Sequence, residues 1–399
     1  MKHSHMVAMP EIWLLILIIV LPQLSETVYT PSLPSIAQFL HSSHALVEYT
    51  LTIFLFGLAV GTLFWGKLSD KIGRKLALIL GLVLYGIGCI GCYYSSTITA
   101  LLISRFAQAF GGSTGSVLGQ VICRDAFHGP RRGAVFSVIG SSLALAPALG
   151  PVLGGSIAEI FGWQSIFLFL LFVSILILSL VIYRLPETYT PSSFSFKVIK
   201  DTALRMVTDY KIIGFGLLVA LCNGISFSYF AEGSFLLINL LGLSPSIYGA
   251  TFLLISVATM LGGYVSKTMN EQERNVWAII TYGSFVILYG ALLYLVGMGI
   301  LSLIQATSLC FISLILISIS LMMFGIGIMI PNVLAIALLD YKEAIGTASS
   351  LFGFYYYCLI SLCTLGMGLL HNHTLWPMPL YFFVMAVILK FVCYLLKNR

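Results

Sequence analysis

Twelve apolar runs of bilayer-crossing length divide this chain so that lysine and arginine enter only every second gap. A helix needs ~20 apolar residues to cross the hydrocarbon core. Runs of that kind lie near 11–33, 46–65, 76–94, 97–122, 134–158, 164–183, 212–240, 246–266, 276–297, 300–331, 344–369 and 376–396, the long seventh and tenth being candidates for a break or a tilt. One set of gaps holds Lys2, then Lys67, Lys71, Arg74 and Lys75, then Arg124, Arg131 and Arg132. It continues with Arg184, Lys197, Lys200, Arg205 and Lys211, then Lys267 and Arg274, then Lys342, and closes with Lys397 and Arg399. The six alternate gaps hold none; Arg105 sits inside run four, and Lys390 sits in the last run toward the Lys397 end. An odd number of crossings would scramble this segregation. The positive-inside rule makes the basic side cytoplasmic, with both termini on it. The expected fold class is therefore an all-α polytopic membrane protein of twelve transmembrane helices.

Composition agrees. Of 399 residues, 59% are hydrophobic and 9% charged, against ~45–50% and ~25% in soluble domains. The formal charge of +6 does not call for nucleic acid, because the bases sit in short gaps between apolar runs and topology accounts for them. The partner implied is the lipid bilayer, with no nucleic acid. Cys89, Cys92, Cys123, Cys222, Cys310, Cys358, Cys363 and Cys393 all fall in or at the ends of runs, where cysteine acts as a small hydrophobe. The seven histidines avoid the runs. His41/His44 and His371/His373 lie within reach of one another on the base-free side and read as solvated loop residues, so no metal site and no cofactor are expected. The N-terminal stretch leads into the first run without a small-residue cleavage site and reads as an uncleaved cytoplasmic tail.

Residues 185–211 form the longest polar stretch and divide the chain into an N-terminal half (1–184), a cytoplasmic linker and a C-terminal half (212–399) of six runs each. A shift of 200 residues sets Lys67 on Lys267 and Arg74 on Arg274, while Gly66, Asp70 and Gly73 meet Ser266, Asn270 and Glu273. That weak repeat lies where a duplicated six-helix unit would put it.

Gly66-Lys-Leu-Ser-Asp-Lys-Ile-Gly-Arg-Lys75, followed by Leu78, crowds four cations into one short gap. The reading is a hairpin loop in which Gly66 and Gly73 allow a tight reversal. The stretch resembles the signature between the second and third helices of the major facilitator superfamily. That resemblance implies two six-helix halves with substrate held at midplane between them, and makes Gly66, Asp70, Gly73, Arg74 and Arg124 a conformational switch. Asp70 is expected to clamp through Arg124 or the helix starting near Gly346.

Run four carries Gly111, Gly115 and Gly119, a face along which another helix can approach. Its Arg105-Phe-Ala-Gln-Ala-Phe-Gly111 is similar to the superfamily's fourth-helix motif, whose arginine is associated with proton coupling; a structural ion pair is the alternative. An arginine at this depth costs ~2.5–3.5 kcal/mol unless it meets water or a carboxylate. Run five carries Pro147-Ala-Leu-Gly150-Pro151-Val-Leu-Gly154-Gly155, similar to the fifth-helix motif of the superfamily's exporters, with Ser141 where that motif has glycine. Run one carries Ser25-Glu26-Thr-Val-Tyr29-Thr-Pro-Ser-Leu-Pro34. It resembles the T-D-x-Y-x-P-x-x-P pattern of the bacterial Bcr/CflA drug-resistance exporters, with glutamate for aspartate. Gly162-Trp163, Leu185-Pro-Glu-Thr188 and Gly346-Thr-Ala-Ser-Ser-Leu351 add to that resemblance.

At ~1.5 Å per residue, Glu26 lies ~22 Å from one side and Arg105 ~12 Å from the other, so their depths nearly coincide. Glu26, Arg105, Glu232, Tyr29, Asn223 and Asn332 are the candidate proton-coupling and substrate residues. An interfacial role is the alternative for Glu232, and helix packing for the two asparagines. Glu48 and Glu159 read as solvated acids at helix ends, and Met322, Met323 and Met329 as apolar fill. Consecutive Tyr355, Tyr356 and Tyr357 cannot all face one cavity. Neither a complete Walker-type phosphate loop nor an HExxH motif occurs, and no enzyme activity is expected. The resemblance implies a proton-coupled exporter of drugs or small amphipathic metabolites in the bacterial inner membrane. The alternatives are an exporter of an endogenous metabolite such as a siderophore, or a non-transporting sensor on the same scaffold.

Overall fold

A computed structural model describes residues 9–127, 129–188 and 196–398. The expected tail around Lys2 and residues 189–195 of the linker lie outside them, as do the side chains of Arg131, Arg132, Ser141, Lys197 and Lys342. Among the described residues fourteen α-helices follow one another: α1 Ile12–Thr27, α2 Leu33–Phe39, α3 His44–Ile72, α4 Arg74–Tyr93, α5 Ile98–Ala126, α6 Gly129–Phe161, α7 Gln164–Arg184, α8 Phe196–Thr208, α9 Tyr210–Ser234, α10 Pro245–Glu271, α11 Val276–Leu303, α12 Ser308–Ala337, α13 Ile345–Leu370 and α14 Pro377–Lys397. With α1 and α2 as one broken passage and α8 in the linker, these make twelve passages in two sets of six.

Among the described residues, ten passages are long and apolar enough to cross a membrane. Of the other two, α5 is polar for a reason its position explains: α1, α3 and α4 pack around it, so Arg105, Gln108 and Thr114 are fully buried in protein. Side chains such as Ile103, Phe172, Leu254 and Phe391 are instead exposed on the outside. So wide an apolar perimeter suits lipid, where helices satisfy their own backbone groups.

Two sequence expectations are corrected. The tenth passage begins at Ser308, not near 300, because α11 runs on to Leu303. The 66–75 stretch is not a loop: α3 continues to Ile72 and α4 starts at Arg74. Only Gly73 makes the reversal, with φ 93° and ψ 159°, a conformation that favours glycine. Gly66 lies within α3. The Glu187 carboxylate, from the Leu185–Thr188 stretch, accepts the backbone N–H groups of Arg74 at 3.0 Å and Lys75 at 3.1 Å. It thereby caps α4, whose first amides lack partners within the helix.

The first passage breaks between Thr27 and Leu33 for a chemical reason. Pro31 has no N–H to give the Thr27 carbonyl, and the Thr30 hydroxyl donates to that carbonyl instead at 2.9 Å. The seventh passage ends in a π-helical turn, Phe235–Leu240.

The halves close on one face and part on the other. On the face opposite the Gly73 turn, the Ser361 hydroxyl donates to the Thr52 carbonyl at 3.0 Å, and the Thr52 and Thr364 hydroxyls lie 3.0 Å apart. Glu159 accepts the Ser246 N–H at the start of α10 at 3.1 Å. It is exposed as expected, yet it joins the halves. On the Gly73 face, called the basic face below, a cavity of about 520 Å³ opens between α3 and α5 on one side and α13 on the other.

Candidate functional site

The cavity holds the switch stretch at its mouth. Gly66, Asp70, Arg74, Arg124 and Gly346 all line it. Asp70 pairs with Arg74 at 2.5 Å, and Arg74 also reaches Asp125 at 3.3 Å and the Ser69 hydroxyl at 2.6 Å. The described ion pairs tie the end of α3 to the end of α5 within one half. With the cavity open, Asp70 and Gly346 share its lining across the two halves.

The lining residue farthest along α13 from the mouth is Tyr357, next to Tyr356. Both lie within electrostatic reach of Glu26. Tyr355 turns away and donates to the Ile213 carbonyl at 3.3 Å, as the ~100° step per helical residue requires. Glu26 is 1% exposed, and among the described residues neither carboxylate oxygen has a hydrogen-bond partner.

Arg105 is fully buried and meets the first passage directly. Its terminal nitrogens donate to the Ser25 carbonyl at 3.4 Å, and one donates to Gln108 Oε1 at 2.6 Å. The rings of Tyr29 and Phe54 lie with centroids 4.0 Å from its guanidinium carbon. Cation–π contact and carbonyl bonds replace the ion pair that was one expectation. Tyr29 Oη lies 3.1 Å from the Thr50 hydroxyl, and Gln108 donates to Cys89 Sγ at 3.1 Å. Ser25 is itself fixed by Tyr85, 2.5 Å away. These contacts hold the guanidinium against the end of α1, within electrostatic reach of Glu26.

The run-five motif on α6 packs against that break. A β-carbon at Gly150 would overlap the Thr27 hydroxyl, and one at Gly154 the Val28 carbonyl oxygen. A β-carbon at Gly155 would overlap the Pro245 carbonyl oxygen at the start of α10, and one at Gly249 of α10 the Pro151 carbonyl oxygen. This motif holds α6 against both the broken helix and the other half. Pro147, like Pro151, lies inside α6.

Glu232 is 1% exposed, with carboxylate oxygens 2.8 and 3.0 Å from His371 Nδ1. Glu48 is not the solvated acid expected. It is fully buried, 3.9 Å from the same nitrogen, and its oxygens have no hydrogen-bond partner among the described residues. The loop between α13 and α14 covers it, a contact no local signal reveals. Asn332 does not belong to the cavity. It donates to the Ser266 hydroxyl at 2.7 Å and accepts from Asn270 at 2.9 Å, joining α12 to α10. Asn223 donates to the Val219 carbonyl of its own helix at 3.0 Å. Ser113 stands in the letter pattern G-x-S-x-G, but it lies within α5 and donates to the Phe110 carbonyl at 2.7 Å. A hydrolase nucleophile needs a strand-to-helix turn at that position.

Comparison with known proteins places this arrangement. A family model described as Major Facilitator Superfamily matches residues 15–364. An uncharacterized transporter of Rickettsia felis is 32% identical over 380 residues, 94% of this chain and 93% of its own length. A bicyclomycin resistance protein homolog of Haemophilus influenzae is 29% identical over 244 residues, covering 60% of this chain and 61% of that one. The crystal structure of a D-xylose-proton symporter shares the fold, with a TM-score of 0.74 at 15% identity over 95% of this chain and 96% of that one.

Proposed function

This chain belongs to the Major Facilitator Superfamily, and from that premise we propose that it is a proton-coupled exporter of drugs or small amphipathic metabolites. It is a multi-pass membrane transporter rather than an enzyme. In the proposed reading it sits as a monomer in a bacterial inner membrane, with both termini and the basic face in the cytoplasm. The relative named for bicyclomycin resistance and the α6 motif favour export. The observation that carries the coupling is Glu26, a fully buried carboxyl group beside Arg105 with no hydrogen-bond partner among the described residues.

Apolar surroundings favour the protonated carboxyl, while the guanidinium or a cationic substrate favours the ionised one. A group held between those influences takes a proton when the opposite face is open. It gives the proton up when the cavity opens to the basic face and substrate enters. Substrate and proton then exclude one another, which is exchange without covalent chemistry. Glu232, buried at the seam of the two halves, shares the coupling in a second form of this reading.

The test is Glu26→Gln, which imitates the protonated group. The variant is expected to insert and fold, to lose uphill transport in inside-out vesicles under an imposed pH gradient, and to bind substrate independently of pH. Glu26→Asp keeps part of the activity. Gradient-driven accumulation by the Gln variant at the wild-type rate refutes the assignment and moves it to Glu232.

A further inference from the structure

We propose that His44, His371 and His373 form a divalent transition-metal site, suited to zinc, that bridges the two halves on the face opposite the cavity. The three side chains come from separate parts of the chain. His44 opens α3 in the N-terminal half, while the other two lie between α13 and α14 in the C-terminal half. Their nearest ring nitrogens all lie within 4.8 Å of one another. His371 Nε2 is 3.0 Å from His44 Nδ1 and 3.3 Å from His373 Nδ1. A tetrahedral ion with Zn–N of about 2.0–2.1 Å separates its ligand nitrogens by about 3.3 Å. The nitrogens are therefore already near the spacing such an ion imposes.

Three further features point to an ion. The His371 Nδ1 that faces Glu232 at 2.8 Å carries its hydrogen toward a carboxylate, which leaves the Nε2 lone pair free and aimed at the other two rings. A carboxylate behind a ligating histidine is the usual outer shell of a metal-bound imidazole. His44 is held in place by stacking on Phe235, with centroids 4.3 Å apart and planes 19° from parallel. Finally, Glu48 and Glu232 bury two carboxyl groups beside these rings, both within 4 Å of His371 Nδ1. His373 is exposed, so an ion enters from the solvent on that face and leaves a fourth position open to water.

The histidines were expected to be solvated because they lie outside the apolar runs. They converge because closing this face brings the two loops together. An ion bound there ties α3 to the C-terminal half and holds the face shut. That consequence rests on the alternating-access reading of the transporter, whereas binding itself does not.

The experiment uses full-length protein without a polyhistidine tag, purified in detergent and titrated with ZnCl2 against a competing chromophoric chelator. One equivalent is expected to bind. His44→Ala and His373→Ala should each weaken it at least tenfold, and Glu232→Gln about 10- to 100-fold as an outer-shell loss. The His3→Ala/His5→Ala pair should leave binding unchanged. No uptake, or equal affinity in all variants, overturns the site whatever the protein transports. Hydrogen exchange at 41–46 and 371–376 reads the bridge. Slowing by zinc in wild type but not in His373→Ala supports it, and unchanged exchange with zinc bound overturns it.

Discussion

Gly249→Ala should move the conformational equilibrium without touching any charged residue. A β-carbon there would overlap the Pro151 carbonyl oxygen and stand 2.8 Å from its carbon and 3.2 Å from Val152 Cα. These are backbone atoms of the other half, unable to turn aside as a side chain would. Overpacking of this kind costs about 1–3 kcal/mol. The contact belongs to the closed face, so the cost falls on the conformer whose cavity opens to the basic face. An equilibrium between two conformers then shifts by about 5- to 150-fold toward the opposite opening. Gly263→Ala on the same helix meets nothing within 4 Å and serves as the control. The assay is alkylation of a Ser350→Cys reporter on the cavity wall, read peptide by peptide by mass spectrometry. The rate should fall in the Gly249→Ala background and stay unchanged with Gly263→Ala. An unchanged rate in a well-folded Gly249→Ala protein refutes the reasoning, because α6 and α10 would then not hold that face closed.

Arg105→Lys should fold yet lose transport, since an ammonium cannot both lie between two rings and reach the Ser25 carbonyl; vesicle transport compared with detergent melting separates the two outcomes. Asn332→Ala should lower stability by about 1–3 kcal/mol, by leaving a buried hydroxyl and an amide without their partner, while substrate affinity stays unchanged in equilibrium binding. Glu187→Ala removes the cap on α4 at a cost of about 0.5–1 kcal/mol, seen as faster hydrogen exchange at Arg74 and Lys75. Gly154→Leu should lose transport even when well expressed, because α6 can no longer rest against Val28; wild-type transport would show the motif to be incidental.

Much of the fold was legible because lipid imposes it: apolar length and alternating bases place passages without knowledge of packing. Glu26 and Arg105 were legible for the same reason, since charge inside an apolar run stands out and depth follows from residue count. The orientation of a side chain around its helix does not follow from depth. Asn332 therefore read as a cavity candidate with helix packing as the alternative, and it joins α10 to α12; which of Tyr355, Tyr356 and Tyr357 turns from the cavity was likewise open, and Tyr355 faces α9. The Glu48–His371–Glu232 cluster was hidden more deeply. Its members are more than a hundred residues apart, and each sits near a helix end where solvent is the ordinary surroundings. The Glu187 cap has a local trace in Leu185–Thr188, but the helix it caps begins more than a hundred residues earlier.

The 200-residue repeat gains physical content from the turns. Gly73 takes φ 93°, and its counterpart Glu273 takes φ 54°, so both halves reverse through a residue with positive φ. Each half also ties the end of its second passage to the end of its fourth. In the N-terminal half the tie is ionic, Asp70 and Asp125 with Arg74 between them, and these side chains are 29, 28 and 12% exposed at the cavity mouth. In the C-terminal half it is made by Asn270, Ser266 and Asn332, and Asn332 is 4% exposed. Desolvating an ion costs far more than desolvating an amide that keeps its hydrogen bonds. Asn270 reaches the surface, while Ser266 and Asn332 are buried. Closing a face removes water from whatever junction lies there, and that loss weighs more on the ionic junction than on the amide one. The two halves therefore share one architecture, and the turn of the N-terminal half is the more sensitive of the two to which way the cavity opens.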